Sequence, residues 1–188
     1  MRSETFQTPG PVRLDLELPA GSIEIETSNT DETHVELEAL SDREQVQEMV
    51  EAARIEAVRR GDGHEVVVEV PTRHGVWLSF SKGPDIRLGS PELRLRLSCP
   101  AGAELDVRTK SADLKARGDY GNVDVKTASG DTIVEHARDV RIKSASGDAH
   151  VETVDGSLDM KSASGDLHAG SVAGSSNIQL VSGDVHIR

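Results

Sequence analysis

Ser-Gly-Asp recurs four times near the C-terminal end of this chain: Ser129-Gly130-Asp131, Ser146-Gly147-Asp148, Ser164-Gly165-Asp166 and Ser182-Gly183-Asp184. A degenerate copy, Ser111-Ala112-Asp113, precedes them, and successive Asp residues stand 17 or 18 positions apart. A short fixed period over five copies restricts the chain to a solenoid or a strand array. Between the Asp residues the copies agree as well. Val107, Val125, Ile142, Met160 and Ile178 recur four residues before each Ser, with Thr109, Thr127, Ser144, Ser162 and Leu180 two before. Arg108, Lys126, Lys143 and Lys161 lie between these columns, and Asp106, Asp124 and Asp159 lie two residues earlier still. Apolar or small residues thus alternate with charged ones, the period of a half-buried strand. The alternation resumes after the corner in Ala149-His150-Val151, Leu167-His168-Ala169 and Val185-His186-Ile187. Each repeat therefore reads as strand, Ser-Gly-Asp corner, strand, second corner. The glycine suits a positive φ, and the Asp is expected to bond nearby backbone N–H groups within its own turn.

Two architectures obey this grammar. An antiparallel meander would use Ser-Gly-Asp as a hairpin turn with Gly leading. A parallel β-solenoid would stack equivalent strands about 4.8 Å apart. Constant repeat length, with the same small residue at the same inward site, favours the solenoid.

The first hundred residues are less regular. Val12, Leu14, Leu16 and Leu18 alternate with charges up to Pro19-Ala20-Gly21, then Ile23 and Ile25 follow. Leu93, Leu95 and Leu97 repeat that pattern before Pro100-Ala101-Gly102, with Leu105 and Val107 beyond. One helix is predicted over 42–60, opened by a Ser41/Glu44 capping box and closed by Gly61, with Arg59 and Arg60 at its negative end. Its apolar stripe is Val46, Met49, Val50, Ala53 and Ala57. Strands are expected at 65–70 and 76–80, with a flexible loop over 81–91. The expected organisation is an N-terminal β region with an inserted helix over 1–102, capping regular coils over 103–188.

The segments Val123–Asp131, Val140–Asp148 and Leu158–Asp166, with Phe6 and Gly21-Ser-Ile-Glu-Ile25 at the start, resemble the bacterial adhesin-like β-strand-repeat family, a domain of unknown function. The resemblance covers most of the chain. It implies a mainly β, β-solenoid fold, in a family with no established enzymatic activity or cofactor.

Composition bounds the partners. Hydrophobic residues make up 36% and aromatics 2%, so the core is expected to be thin and aliphatic. A net charge of −12 argues against binding nucleic acid or an anionic membrane. A DNA mimic would fit an acidic rod, though nothing else points to one. Cys99 is alone, so no intrachain disulfide forms. The N-terminus lacks a signal-peptide core, and no apolar run reaches membrane-span length, which places the chain in the cytoplasm as an expectation.

Each candidate for chemistry has a plainer structural explanation. The carboxylates of Asp113, Asp131, Asp148, Asp166 and Asp184 could attract calcium, but one Gly per corner is fewer than calcium-binding β-rolls use. His150, His168 and His186 should project outward in a row, a poor approach to tetrahedral zinc. The Arg108–Lys161 column could hold an acidic polymer, yet the neighbouring Asp residues are expected to neutralise it. The inward hydroxyls have no activating base and are expected to bond to one another along the ladder. The sequence therefore assigns no catalytic, cofactor or metal residue. It points to a non-catalytic scaffold for a protein partner, or for self-association through an uncapped or truncated C-terminal coil. A carbohydrate-binding or carbohydrate-cleaving β-helix is the alternative.

Overall fold

A computed structural model describes residues 1–71 and 93–188. Alternating sequences become strands nearly throughout. The elements are β1 (Arg2–Gln7), β2 (Val12–Ser28), β3 (Glu32–Ala39), α1 (Glu44–Glu51), β4 (Arg54–Arg60), β5 (Gly63–Glu69) and β6 (Leu93–Pro100). They continue as β7 (Ala103–Ser129), β8 (Thr132–Ser144), β9 (Ala149–Val154), β10 (Leu158–Ser164), β11 (Leu167–Val172), β12 (Ser176–Ser182) and β13 (Val185–Ile187). The fold is mainly β with one helix among the described residues. The expected strand at 76–80 and the loop at 81–91 lie outside them.

The repeats pair in parallel. Leu158–Ser162 of β10 is in register with Val140–Ser144 of β8 on one side, and β10 pairs with β12 on the other. The arm after the corner pairs separately: Ala149 lies opposite Thr132 and Leu167, and Leu167 lies opposite Val185. The two arms flanking Ser146-Gly147-Asp148 thus bond to neighbouring repeats rather than to each other, which excludes the hairpin meander. Val125, Ile142 and Met160 stand in one buried column, each at most 1% exposed. Ala149, Val151, Leu167 and Ala169 bury from the other arm into the same aliphatic core. In the last repeat Ile178 and Leu180 are half-buried, while Val181, Val185 and Ile187 are exposed.

The N-terminal strands join the same sheet. β2 runs parallel to β7 from Arg13↔Glu104 to Glu26↔Arg117, and parallel to β5 and β6 on its other side. Gly21 is in register with Ala112, so Pro19-Ala20-Gly21 and Ser111-Ala112-Asp113 are equivalent corners. Antiparallel pairing enters at this end, in β1 with β3, β3 with β6 and β4 with β5.

The helix is shorter than the sequence suggests. α1 spans only Glu44–Glu51, packs on β3 and buries Val46 and Val50, whereas 54–60 is strand. Ala53 and Ala57 fit a helical stripe and a strand face equally well. The β-branched Ile55 and Val58 prefer strand, and β5 supplies an antiparallel ladder through the Gly61-Asp62 turn. The capping box does not form: Arg43 is the N-cap residue, and the Ser41 hydroxyl only accepts the Arg43 N–H at 3.3 Å. Arg60, instead of ending a helix, pairs with Glu65 at 2.6 Å.

Candidate functional site

The corner glycines Gly130, Gly147, Gly165 and Gly183 all have φ between 112° and 126°, a region closed to most side chains. Their close stacking brings the Asp ladder together, but not for the expected bonds. Asp131 N–H donates to Asp113 Oδ1 at 3.0 Å, and Asp166 N–H donates to Asp148 Oδ1 at 2.8 Å. Each carboxylate thus serves the next repeat's backbone rather than its own turn. The inward hydroxyls depart from expectation in the opposite sense. Thr127, Ser144 and Ser162 donate to the carbonyls of Ser129, Ser146 and Ser164 at 2.7–2.8 Å, within one repeat. A rung spacing of about 4.8 Å is too long for a direct hydroxyl–hydroxyl bond, and the local carbonyl is nearer.

His150, His168 and His186 do project outward from adjacent strands in register. The rings of His168 and His186 stack with centroids 5.0 Å apart, and His150 sits 6.3 Å from His168.

A second histidine arrangement escaped the sequence reading. His136 Nδ1 lies 2.6 Å from Asp119 Oδ1, and its Nε2 lies 3.0 Å from Asp155 Oδ2. Hydrogen bonding to Asp119, then to Asp155, raises the imidazole pKa. The two carboxylates occupy opposite edges of the ring, so one metal ion cannot replace both contacts. Nearby, Asp139 accepts the Ser157 N–H at 2.9 Å and its hydroxyl at 2.7 Å, which holds the carboxyl below its ordinary range. Buried Cys99 has its thiol pushed up to about 12 by desolvation, the opposite of a reactive thiolate.

The basic column lies along an open groove of about 870 Å³. Arg108 pairs with Asp15 and, at 3.7 Å, with Asp106, while Lys126 Nζ is 3.4 Å from Asp124. Further along, neutralisation fails. Arg141 occupies the Asp position of its repeat and sits 3.7 Å from both Asp124 and Asp159. Lys143 and Lys161 consequently have no ion-pair partner among the described residues. The expected self-neutralised face is neutral at one end and cationic at the other.

Residues 12–188 match the family described as Toastrack DUF4097. Among solved structures, a proposed cell adhesion protein from Clostridium sporogenes aligns over 99% of this chain and 98% of its own, with a TM-score of 0.59 and 11% identity. At that identity the likeness is one of fold. A proposed adhesin from Bacteroides fragilis aligns over 100% and 96% of the two chains at 8% identity, with a TM-score of 0.36. No curated protein sequence matches the chain. The family match bears out the resemblance to adhesin-like strand repeats.

Proposed function

We propose that this chain, which belongs to the Toastrack DUF4097 family, is a non-catalytic parallel β-solenoid of 17–18-residue coils that presents a rigid face to a protein partner in a bacterium. Residues 1–102 act as its cap in this reading. The observation that carries it is the register Lys126↔Lys143↔Lys161, backed by the buried column Val125, Ile142 and Met160. Backbone ladders fix the spacing of outward side chains, so a partner meets a surface that costs little to order. Two features favour binding over catalysis. The inward hydroxyls are engaged by backbone carbonyls, and the groove is open rather than walled. No aromatic ring lines that groove among the described residues, which favours a protein over a sugar polymer.

The test is recovery from the native host of a stoichiometric partner by the immobilised chain, repeated with charge reversals on each of the two arms. Loss on one arm only supports a defined face. Equal recovery by both variants and by a Gly147→Val chain, whose stacking is broken, would reject it.

A further inference from the structure

Neither the core nor the corner ladders account for the groove along the basic column. It crosses the strands from Glu17 to Gln179 and, among the described residues, is lined by Arg108, Lys110, Lys126, Lys143 and Lys161 against the one carboxylate of Glu17. This concentration of cations sits on a chain of net charge −12. Lys143 and Lys161 are directly opposed on neighbouring parallel strands. Their stems leave the sheet about 4.8 Å apart, and like charges so placed destabilise the pairing. A bound anion between them removes that repulsion. Half-buried Leu180 and Val181, 88% exposed, add apolar surface to the same groove.

That mixture discriminates among polyanions. Single-stranded nucleic acid is held by aromatic platforms together with cations, and among the described residues the lining supplies only the cations. A uronic acid polymer would satisfy the lysines and leave the aliphatic side chains facing sugar hydroxyls. A polypeptide with acidic and aliphatic side chains satisfies both sets. We propose that the groove along Lys126, Lys143 and Lys161 binds an extended acidic polypeptide segment with interspersed aliphatic residues. The assignment rests on the reading of this chain as a protein-binding solenoid and names the partner's chemistry.

The test uses the whole chain and a fluorescein-labelled peptide of alternating Glu and Leu, followed by anisotropy. Saturable binding that weakens with added salt is expected. The Lys143→Glu/Lys161→Glu double variant should bind about tenfold more weakly or worse, as loss of close charge complementarity implies. Lys115→Glu, on the other arm, should leave affinity unchanged, and circular dichroism melts should show both variants folded. Equal binding by the double variant would overturn the assignment. So would displacement of the peptide by polygalacturonate or oligo-dT at lower concentration than by unlabelled peptide. A host partner still recruited by the double variant would sink the groove and leave the wider reading standing. No partner recruited by the unaltered chain would sink the wider reading instead.

Discussion

The backbone N–H of Asp148 donates to Oδ1 of Asp131 at 3.0 Å, although the two residues stand 17 positions apart. The bond exists only when two corners are stacked. It satisfies an amide that the tight Ser-Gly-Asp turn leaves pointing along the stack, and the same bond joins Asp166 to Asp184 at 2.8 Å. The repeat's most visible residue therefore works between repeats. Its carboxylates also form a column of like charges, so each rung combines a stabilising bond with some repulsion.

That combination separates two substitutions. Asp148→Ala removes the acceptor for the Asp166 N–H and should cost about 0.5–1.5 kcal/mol, limited by the corner's access to water. Asp148→Asn keeps an acceptor oxygen and deletes one charge from the column. Its urea midpoint should equal or exceed that of the unaltered chain. If Asn proves as damaging as Ala, the charge itself is what the corner requires.

Gly147 and Gly61 both have positive φ, of 112° and 63°, but only one faces a neighbour. A Cβ on Gly147 would run into the backbone carbonyl of Gly130 in the adjacent repeat, whereas nothing lies within 4 Å of the same position on Gly61. Gly61→Ala should cost about 1–2 kcal/mol, the penalty of a left-handed residue alone. Gly147→Ala should cost well beyond that, about 4 kcal/mol or more, because the stack must part. Similar urea midpoints for the two variants would show that the corners are not packed as closely as described.

Ile142 is 1% exposed between Val125 and Met160, while Lys143, the next residue, projects into solvent. Ile142→Ala should cost about 2–4 kcal/mol. Lys143→Ala should cost under about 0.5 kcal/mol, and relief of repulsion with Lys161 could make it slightly stabilising. Equal midpoint shifts would mean the strand's inward and outward faces are exchanged.

The phase of Ile142 was readable because period-two alternation recurs in every repeat, and five aligned copies leave no doubt which face is apolar. The segment 54–60 was not, because Ala53 and Ala57 satisfy both periods and the decision lay with the partner strand β5. The Asp131–Asp148 bond was missed for a related reason: a sequence suggests contacts within a turn, whereas this one crosses the stack. Arg141 carried a readable signal, since it puts a cation into the Asp106, Asp124 and Asp159 column beside Lys143 and Lys161, which have no ion-pair partner among the described residues. His136 carried a fainter one. Asp119 and Asp155 stand 17 and 19 positions from it, close to one repeat on either side, but a register shift between Ala116 and Asp119 blurs the alignment.

His136 also gives the fold a pH dependence of definite sign. Both ring nitrogens meet carboxylates, and both can donate only when the imidazole is protonated. The bond to Asp119 raises the pKa most and that to Asp155 next, while slight desolvation opposes them. The folded value therefore lies above the unfolded one, near 6.5. A group shifted in this direction contributes its full stability below about pH 6.5 and loses it as the pH rises through the higher, folded value. Salt should weaken the effect, because the ring and both carboxylates are substantially exposed. The measurement is the urea midpoint of the unaltered chain minus that of His136→Gln, taken on both sides of the histidine range. The difference should be positive in mild acid and shrink toward zero in mild base. Asp119→Asn combined with Asp155→Asn should flatten it by removing both partners of the cation. A difference that grows with rising pH would show that the neutral ring, rather than the imidazolium, is what joins the three repeats.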